Sequence, residues 1–209
     1  MIDVLIIGAG PSGAVAAALL VQHGFKVLVL EKQKFPRFSI GESLLAQSLE
    51  LIEQAGMLEA VQAAGFQYKN GAAFAHNDRY VTFNFAEKSS PGPGSTFQVI
   101  RADFDQLLIS EAQRMGAEVR FETEIVAAQF GGDGPVVTAR DRNGVEQTLR
   151  PRFVLDASGF GRTLPRLLDL EQPTQLPVRS ALYVQVHDRI PSGAFDRQKI
   201  LITTHPQHR

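Results

Sequence analysis

The sequence predicts an α/β fold, and three observations carry that prediction. Residues 4–31, VLIIGAGPSGAVAAALLVQHGFKVLVLE, read as strand, glycine turn, helix and strand in direct succession. Residues 117–121 and 153–157 read as further strands of the same parallel sheet, the first after a helical stretch. Between and after these lie stretches that alternate apolar and polar residues, as antiparallel strands with one wet face do.

The first unit sets the rest. Residues 4–7 form a short, wholly apolar run, as expected of a parallel strand covered on both faces. Gly8, Gly10 and Gly13 follow in GxGxxG spacing. Gly8 permits the dihedrals of a very tight turn, Gly10 lets a pyrophosphate approach the backbone, and Gly13 lets the helix lie close on the sheet. Pro11 suits a first helical turn, where its missing N–H costs little, and unpaired amides at the helix start face the phosphates. The Ala-rich helix runs to Gln22 and stops at Gly24; residues 25–30 are the next strand. Glu31 closes the unit roughly 20 residues after the last fingerprint glycine, where an acid accepts hydrogen bonds from a ribose. The unit is therefore a Rossmann-like dinucleotide site in its proper context.

From residue 32 the chain alternates between this sheet and inserted strands. KQKFPRFS (residues 32–39) is a charged loop with an internal proline. A helix is expected over residues 44–55, with Leu44, Leu45, Ser48, Leu49, Ile52 and Ala55 at helical spacing and Gly56 as its cap; a shorter one over 58–64 ends at Gly65. Residues 73–75 and 80–85 read as antiparallel strands, and 89–95 as a loop. A short strand at 97–100 leads into a helix with Asp103 as its N-cap, a stripe of Phe104, Leu107, Leu108 and Ala112, and Gly116 as its stop. Residues 125–130, 136–140 and 145–149 form a meander with GGDG and RNG turns. Residues 160–177 are a connection, and 180–186 and 199–203 are strands of a second sheet. A strand followed only by THPQHR leaves an unpaired edge, so a truncated chain is expected.

Composition narrows the partners. A formal charge of -1 without a basic block argues against nucleic acid or an anionic membrane and for a small organic molecule. With no cysteine, disulfides, thiolate metal sites and a thiol nucleophile are excluded. The five histidines lack zinc-site spacing, with His23 at a helix end and His205 and His208 in a polar tail, so no metal site is expected. The chain enters its first strand soon after Met1 and has no run of membrane-spanning length, which leads to the expectation of a cytoplasmic protein.

FPRFSIGESLL (residues 35–45), the GxGxxG unit with Glu31, VIRADFDQLL (99–108) and VLDASGFGR (154–162) together resemble the flavin-dependent halogenases. These are a branch of the FAD-dependent monooxygenases with the p-hydroxybenzoate hydroxylase fold, a branch that also holds hydroxylases and geranylgeranyl-reductase-like proteins. The resemblance covers nearly all of this chain but only the N-terminal half or less of a typical member. It implies an FAD-binding domain at 1–65 and 97–177, with 66–96 and 178–209 forming part of a substrate-side β-sheet. It implies that reduced flavin activates oxygen, which then oxidises halide or hydroxylates an electron-rich substrate, with a flavin reductase or NAD(P)H as electron source.

The implied roles fall on individual residues. Gly8, Gly10, Pro11, Ser12, Gly13, Glu31 and Lys32 would hold the ADP half of FAD, and Arg37 its phosphates or an incoming reductant. Gly41, Glu42, Ser43 and Leu44 match a strap that lies against the flavin. Arg101 opens the RxxFD helix near the cofactor, and Asp156 and Gly159 match the second flavin motif. Lys69, in FQYKNGAAF, matches the lysine that relays oxidising halogen to substrate. Plainer readings stand beside these: solvated loop arginines for Arg37 and Arg101, a first-turn acid for Glu42, a cap for Asp156 and a surface lysine before a turn for Lys69. The WxWxIP segment and Gly-Asp flavin motif of the family are absent from these residues, so turnover by them alone is not expected.

Overall fold

The computed structural model describes residues 1–204. At its centre is a parallel sheet of four strands: β1 (Val4–Ile7), β2 (Val27–Leu30), β7 (Glu118–Arg120) and β11 (Phe153–Asp156), in the order β11-β1-β2-β7. Alternate residues of β1 and β2 serve two different cores, which is why both strands are apolar throughout. Val4, Ile6, Val27 and Val29 pack under α1 (Pro11–Gln22) and α4 (Arg101–Met115), with Ala14, Ala17, Ala18, Leu108, Ile109 and Ala112 between. Leu5, Ile7, Leu28 and Leu30 face the other way, onto Ile125, Val137, Ala139 and Leu149. Those residues belong to the meander of β8 (Thr123–Gly131), β9 (Gly134–Asp141) and β10 (Glu146–Leu149), whose order is β10-β9-β8. The result is three layers: helices, parallel sheet, antiparallel meander.

The remaining strands form two smaller sheets. β3 (Gln67–Lys69) pairs antiparallel with β6 (Thr96–Gln98). β4 (Gly71–His76) pairs antiparallel with β5 (Arg79–Asn84) on one side and parallel with β12 (Lys199–Thr203) on the other. Two short helices, α2 (Ser48–Gln54) and α3 (Leu58–Ala63), bring Ile52, Met57 and Val61 to the helical core. Gly56 and Gly65, with φ of +69° and +70°, end them as expected.

Three expectations are corrected. The helix predicted from Leu44 begins only at Ser48, because Leu44 donates its N–H to Phe97 O and Glu42 O accepts from Val99 N–H, which holds the preceding residues extended beside β6. Asp103 is not the N-cap of α4: Ile100 occupies that position, and Asp103 lies in the first turn, where its charge complements the helix dipole. Residues 180–186 form no strand; Leu182, Val184 and Val186 are exposed and no ladder pairs them among the described residues, since alternation alone cannot supply a neighbouring edge. The connection at 160–177 contains a 3-10 turn (Gly159–Gly161) and α5 (Thr163–Leu167). His205 and His208 lie outside the described residues. No helix among the described residues is long and apolar enough to cross a membrane.

Candidate nucleotide site and its strap

A cavity of about 610 Å³ opens at the carboxyl ends of β1 and β2. Its floor is the glycine turn. Gly8 has φ +100°, and a Cβ built on it would lie 2.7 Å from Ala157 O, so only glycine lets β1 turn this close to the end of β11. A Cβ on Gly13 would run into the Gly8 carbonyl oxygen, which makes that residue the contact between α1 and the turn. Gly10 differs: a Cβ there would meet nothing closer than Arg37 Nη2 at 3.5 Å, and it would project into the cavity. Gly10 is also the N-cap of α1, Pro11 is at its start, and the first turn contains no acidic residue. The helix therefore presents unpaired N–H groups and a positive dipole end to the cavity. A cradle that a Cβ would fill, under a guanidinium and at a helix N-terminus, fits a pyrophosphate.

The walls are built around two carboxylates, Glu31, which is buried, and Asp156, which is half-buried. Glu31 accepts from Ala9 N–H at 2.9 Å with one oxygen and from Gln33 N–H at 2.8 Å with the other, fixing both loops that border the cavity. Two carboxylate oxygens have about four acceptor positions, so room remains for ribose hydroxyls. Asp156 accepts from Ser158 N–H at 2.9 Å and from Leu164 N–H at 2.7 Å. It is not among the residues lining the cavity, and its two bonds shape the 158–164 turn, on which Gly159 (φ +56°) does line it. These two bonds are those of a cap on the turn that follows the strand.

Of the residues singled out from the sequence, Gly8, Gly10, Pro11, Ser12, Glu31, Lys32, Arg37, Arg101 and Gly159 line this one cavity. Gly13, Gly41, Glu42, Ser43, Leu44, Asp156 and Lys69 are not among its lining residues. Instead, residues 41–44 form a strap beside β6, with an antiparallel bridge between Ser43 and Gln98. Glu42 lines a second groove together with Gln67, Asp103 and Tyr183, and Tyr183 Oη donates to its carboxylate at 3.2 Å.

Lys69 reaches the strap from the far side of β6. It is only 2% exposed, and its Nζ donates to Ser43 Oγ at 2.7 Å and to Leu44 O at 2.6 Å. The ammonium also sits 5.3 Å from the Phe85 ring centre. Burial pushes its pKa below the usual lysine value of 10.5. A surface lysine before a turn is thus not what stands here.

One functional candidate escaped the sequence reading. Asp105 is fully buried, and Arg101 grips it in a fork: Nε to Oδ1 at 2.8 Å and Nη2 to Oδ2 at 2.9 Å. Arg37 Nη1 shares Oδ2 at 3.1 Å and its guanidinium stacks 4.7 Å from the Phe35 ring centre. Arg101 Nη1 also donates to Ile40 O at 2.6 Å. The i,i+4 spacing of Arg101 and Asp105 on a helix was a readable signal of the pair. Nothing local pointed to Arg37 as the third member.

Comparison with known proteins agrees with this geometry. The family profile described as "FAD binding domain" matches residues 1–207. The tryptophan 2-halogenase of Chondromyces crocatus is 37% identical over 158 residues, covering 75% of this chain and 30% of that protein. The tetracycline 7-halogenase of Kitasatospora aureofaciens is 30% identical over 194 residues, covering 83% and 34%. Among solved structures, a flavoprotein/dehydrogenase from Cytophaga hutchinsonii is 46% identical with a TM-score of 0.82, over 84% of this chain and 44% of that one. The myxobacterial chondrochloren halogenase, an FAD-dependent halogenase, is 34% identical with a TM-score of 0.69, over 75% and 37%. The chain spans about a third of the length of these two curated relatives. By profile, sequence and fold, the chain belongs to the FAD binding domain family, with FAD as its cofactor and flavin-dependent halogenases among its relatives.

Proposed function

We propose that this chain is the FAD-holding part of a halogenase-like flavin monooxygenase acting on an electron-rich organic substrate. The observation that carries the reading is Lys69, buried on β3 and bonded through Nζ to the GESLL strap. Burying an ammonium without a carboxylate partner is costly, and among the described residues none pairs with Lys69. Halogenase chemistry gives such a lysine a purpose, because an amine held next to the flavin strap passes oxidising halogen to substrate. Bound FAD supplies the redox chemistry with oxygen; the residues of this chain bind and orient it. Gly8, Gly10, Pro11, Ser12, Gly13, Glu31, Lys32, Arg37, Arg101, Asp156 and Gly159 hold or shape the nucleotide side. Gly41, Glu42, Ser43 and Leu44 form the strap that separates it from Lys69. Residues 1–65 and 97–177 make up the FAD unit in this reading, and 66–96 and 178–209 begin the substrate side.

The test uses the intact protein with FAD, a flavin reductase and NAD(P)H, air, chloride or bromide, and a panel of electron-rich aromatic compounds. Mass spectrometry should detect halogenated product, and Lys69→Ala should abolish it while flavin absorbance on the purified variant is retained. Failure of the protein to retain flavin would sink the proposal. The 46% identity to a flavoprotein/dehydrogenase favours a second reading, a flavin oxidoreductase without halide chemistry, such as a hydroxylase or reductase. Turnover that is independent of halide and unchanged in Lys69→Ala would decide for it.

A further inference from the structure

We infer that Asp105 couples the phosphate side of the cavity to the strap, as a positioning residue shared by Arg37 and Arg101. The inference rests on the assignment of the cavity to FAD. Asp105 is 0% exposed, and the two groups that balance its charge in the structure are these guanidiniums. Oδ2 is divided between them, at 3.1 Å from Arg37 and 2.9 Å from Arg101. Each arginine has a second engagement on a different part of the molecule. Arg37 lies over the glycine turn, its Nη2 3.5 Å from where a Gly10 Cβ would stand. Arg101 holds the strap, its Nη1 donating to Ile40 O at 2.6 Å, with Gly41 O at 3.5 Å. One buried carboxylate thus fixes the 37–41 loop at two points, once directly and once through Arg101.

This sharing has a directional consequence. Two guanidiniums around one carboxylate leave a net positive charge facing the cavity, and a phosphate arriving at the glycine turn attracts Arg37 and repels Asp105. As Arg37 turns toward the phosphate, Oδ2 is left to Arg101 alone. The fork between Arg101 and Asp105 is then uncontested, and it fixes the remaining nitrogen of Arg101 on the Ile40 and Gly41 carbonyls. The strap, and with it the Ser43 and Leu44 partners of Lys69, orders in response to the phosphates and not only to the flavin ring.

ADP separates the two causes, because it carries the pyrophosphate without the ring. Amide hydrogen exchange on the full chain should slow on adding ADP at residues 8–13 and also, by about 5-fold or more, at residues 38–45, the lower end of usual coupling between sites. In Asp105→Asn the slowing at 8–13 should persist and that at 38–45 should vanish. Arg101→Gln, a change at a less buried helix-start residue, should have the same effect on the strap and decides the matter alone if Asp105→Asn does not fold. Strap protection that survives in either folded variant, or ADP protection confined to 8–13 in the unaltered chain, overturns the coupling while leaving the FAD assignment intact. Absence of protection at 8–13 overturns the assignment of the cavity itself, and the coupling with it.

Discussion

The glycine turn, which lines the cavity, and the strap, which does not, are built by different means. The turn is made of backbone: Gly8 and Gly13 succeed because a Cβ at either would strike a main-chain oxygen. The strap, besides its backbone bonds to β6, depends on side chains reaching in from elsewhere, Arg101 from α4 and Lys69 from β3. A backbone-built site tolerates almost no change at a few positions and is indifferent to most others. A side-chain-built site spreads its dependence over several residues, each worth less, and it responds to charge and pH.

The largest effect should come from attacking the turn. Gly13→Val forces a branched side chain against the Gly8 carbonyl, an overpacking with a cost of about 3 kcal/mol, or about 6–12 °C in melting temperature for a chain of this size. Thermal denaturation and flavin titration together check it, and a stable variant with wild-type FAD affinity would break the contrast between turn and strap. A smaller effect is expected beneath the cavity. Asp156→Asn keeps one acceptor but leaves either Ser158 or Leu164 N–H unanswered, a loss of about 1–2 kcal/mol by chemical denaturation.

The smallest effect concerns pH and belongs to the strap alone. The pKa of Lys69 is lowered by burial in the folded protein, so the unfolded chain holds that proton more tightly. Below the lowered value the full cost of burying the ammonium is present. As pH rises from that value toward 10.5 the cost is relieved, so the stability of the unaltered protein should rise relative to Lys69→Met across that window. Paired denaturation curves at neutral and alkaline pH measure it; a difference that stays constant or moves the other way would show that burial does not control this amine.

The same contrast explains what could be read from the sequence. The turn was legible because its backbone requirements leave glycine as the answer at fixed spacing, and the hydrophobic run of β1 announced a strand covered on both sides. Asp105 was not legible as a hub, since its second arginine comes from a loop 68 positions earlier and meets it only in the folded chain. The strand expected at 180–186 failed for a related reason: alternation describes one strand, whereas pairing needs an edge that local sequence does not contain. The helix expected from Leu44 had good local spacing, yet the hydrogen bonds that β6 offers to residues 42 and 44 outweighed it.

The order of the central sheet also bears on how the protein is made. β1 precedes both of its partners in the chain but is an inner strand, with Val4 opposite Val27 on one side and Phe153 on the other. At ~5–20 residues per second, the 149 residues separating Val4 from Phe153 take about 7–30 s to synthesise. Throughout that interval one edge of an entirely apolar strand has no partner. β1, the strand that leads into the glycine turn, is open to mispairing along that edge until β11 is made, and shielding it during synthesis should raise the yield of folded protein.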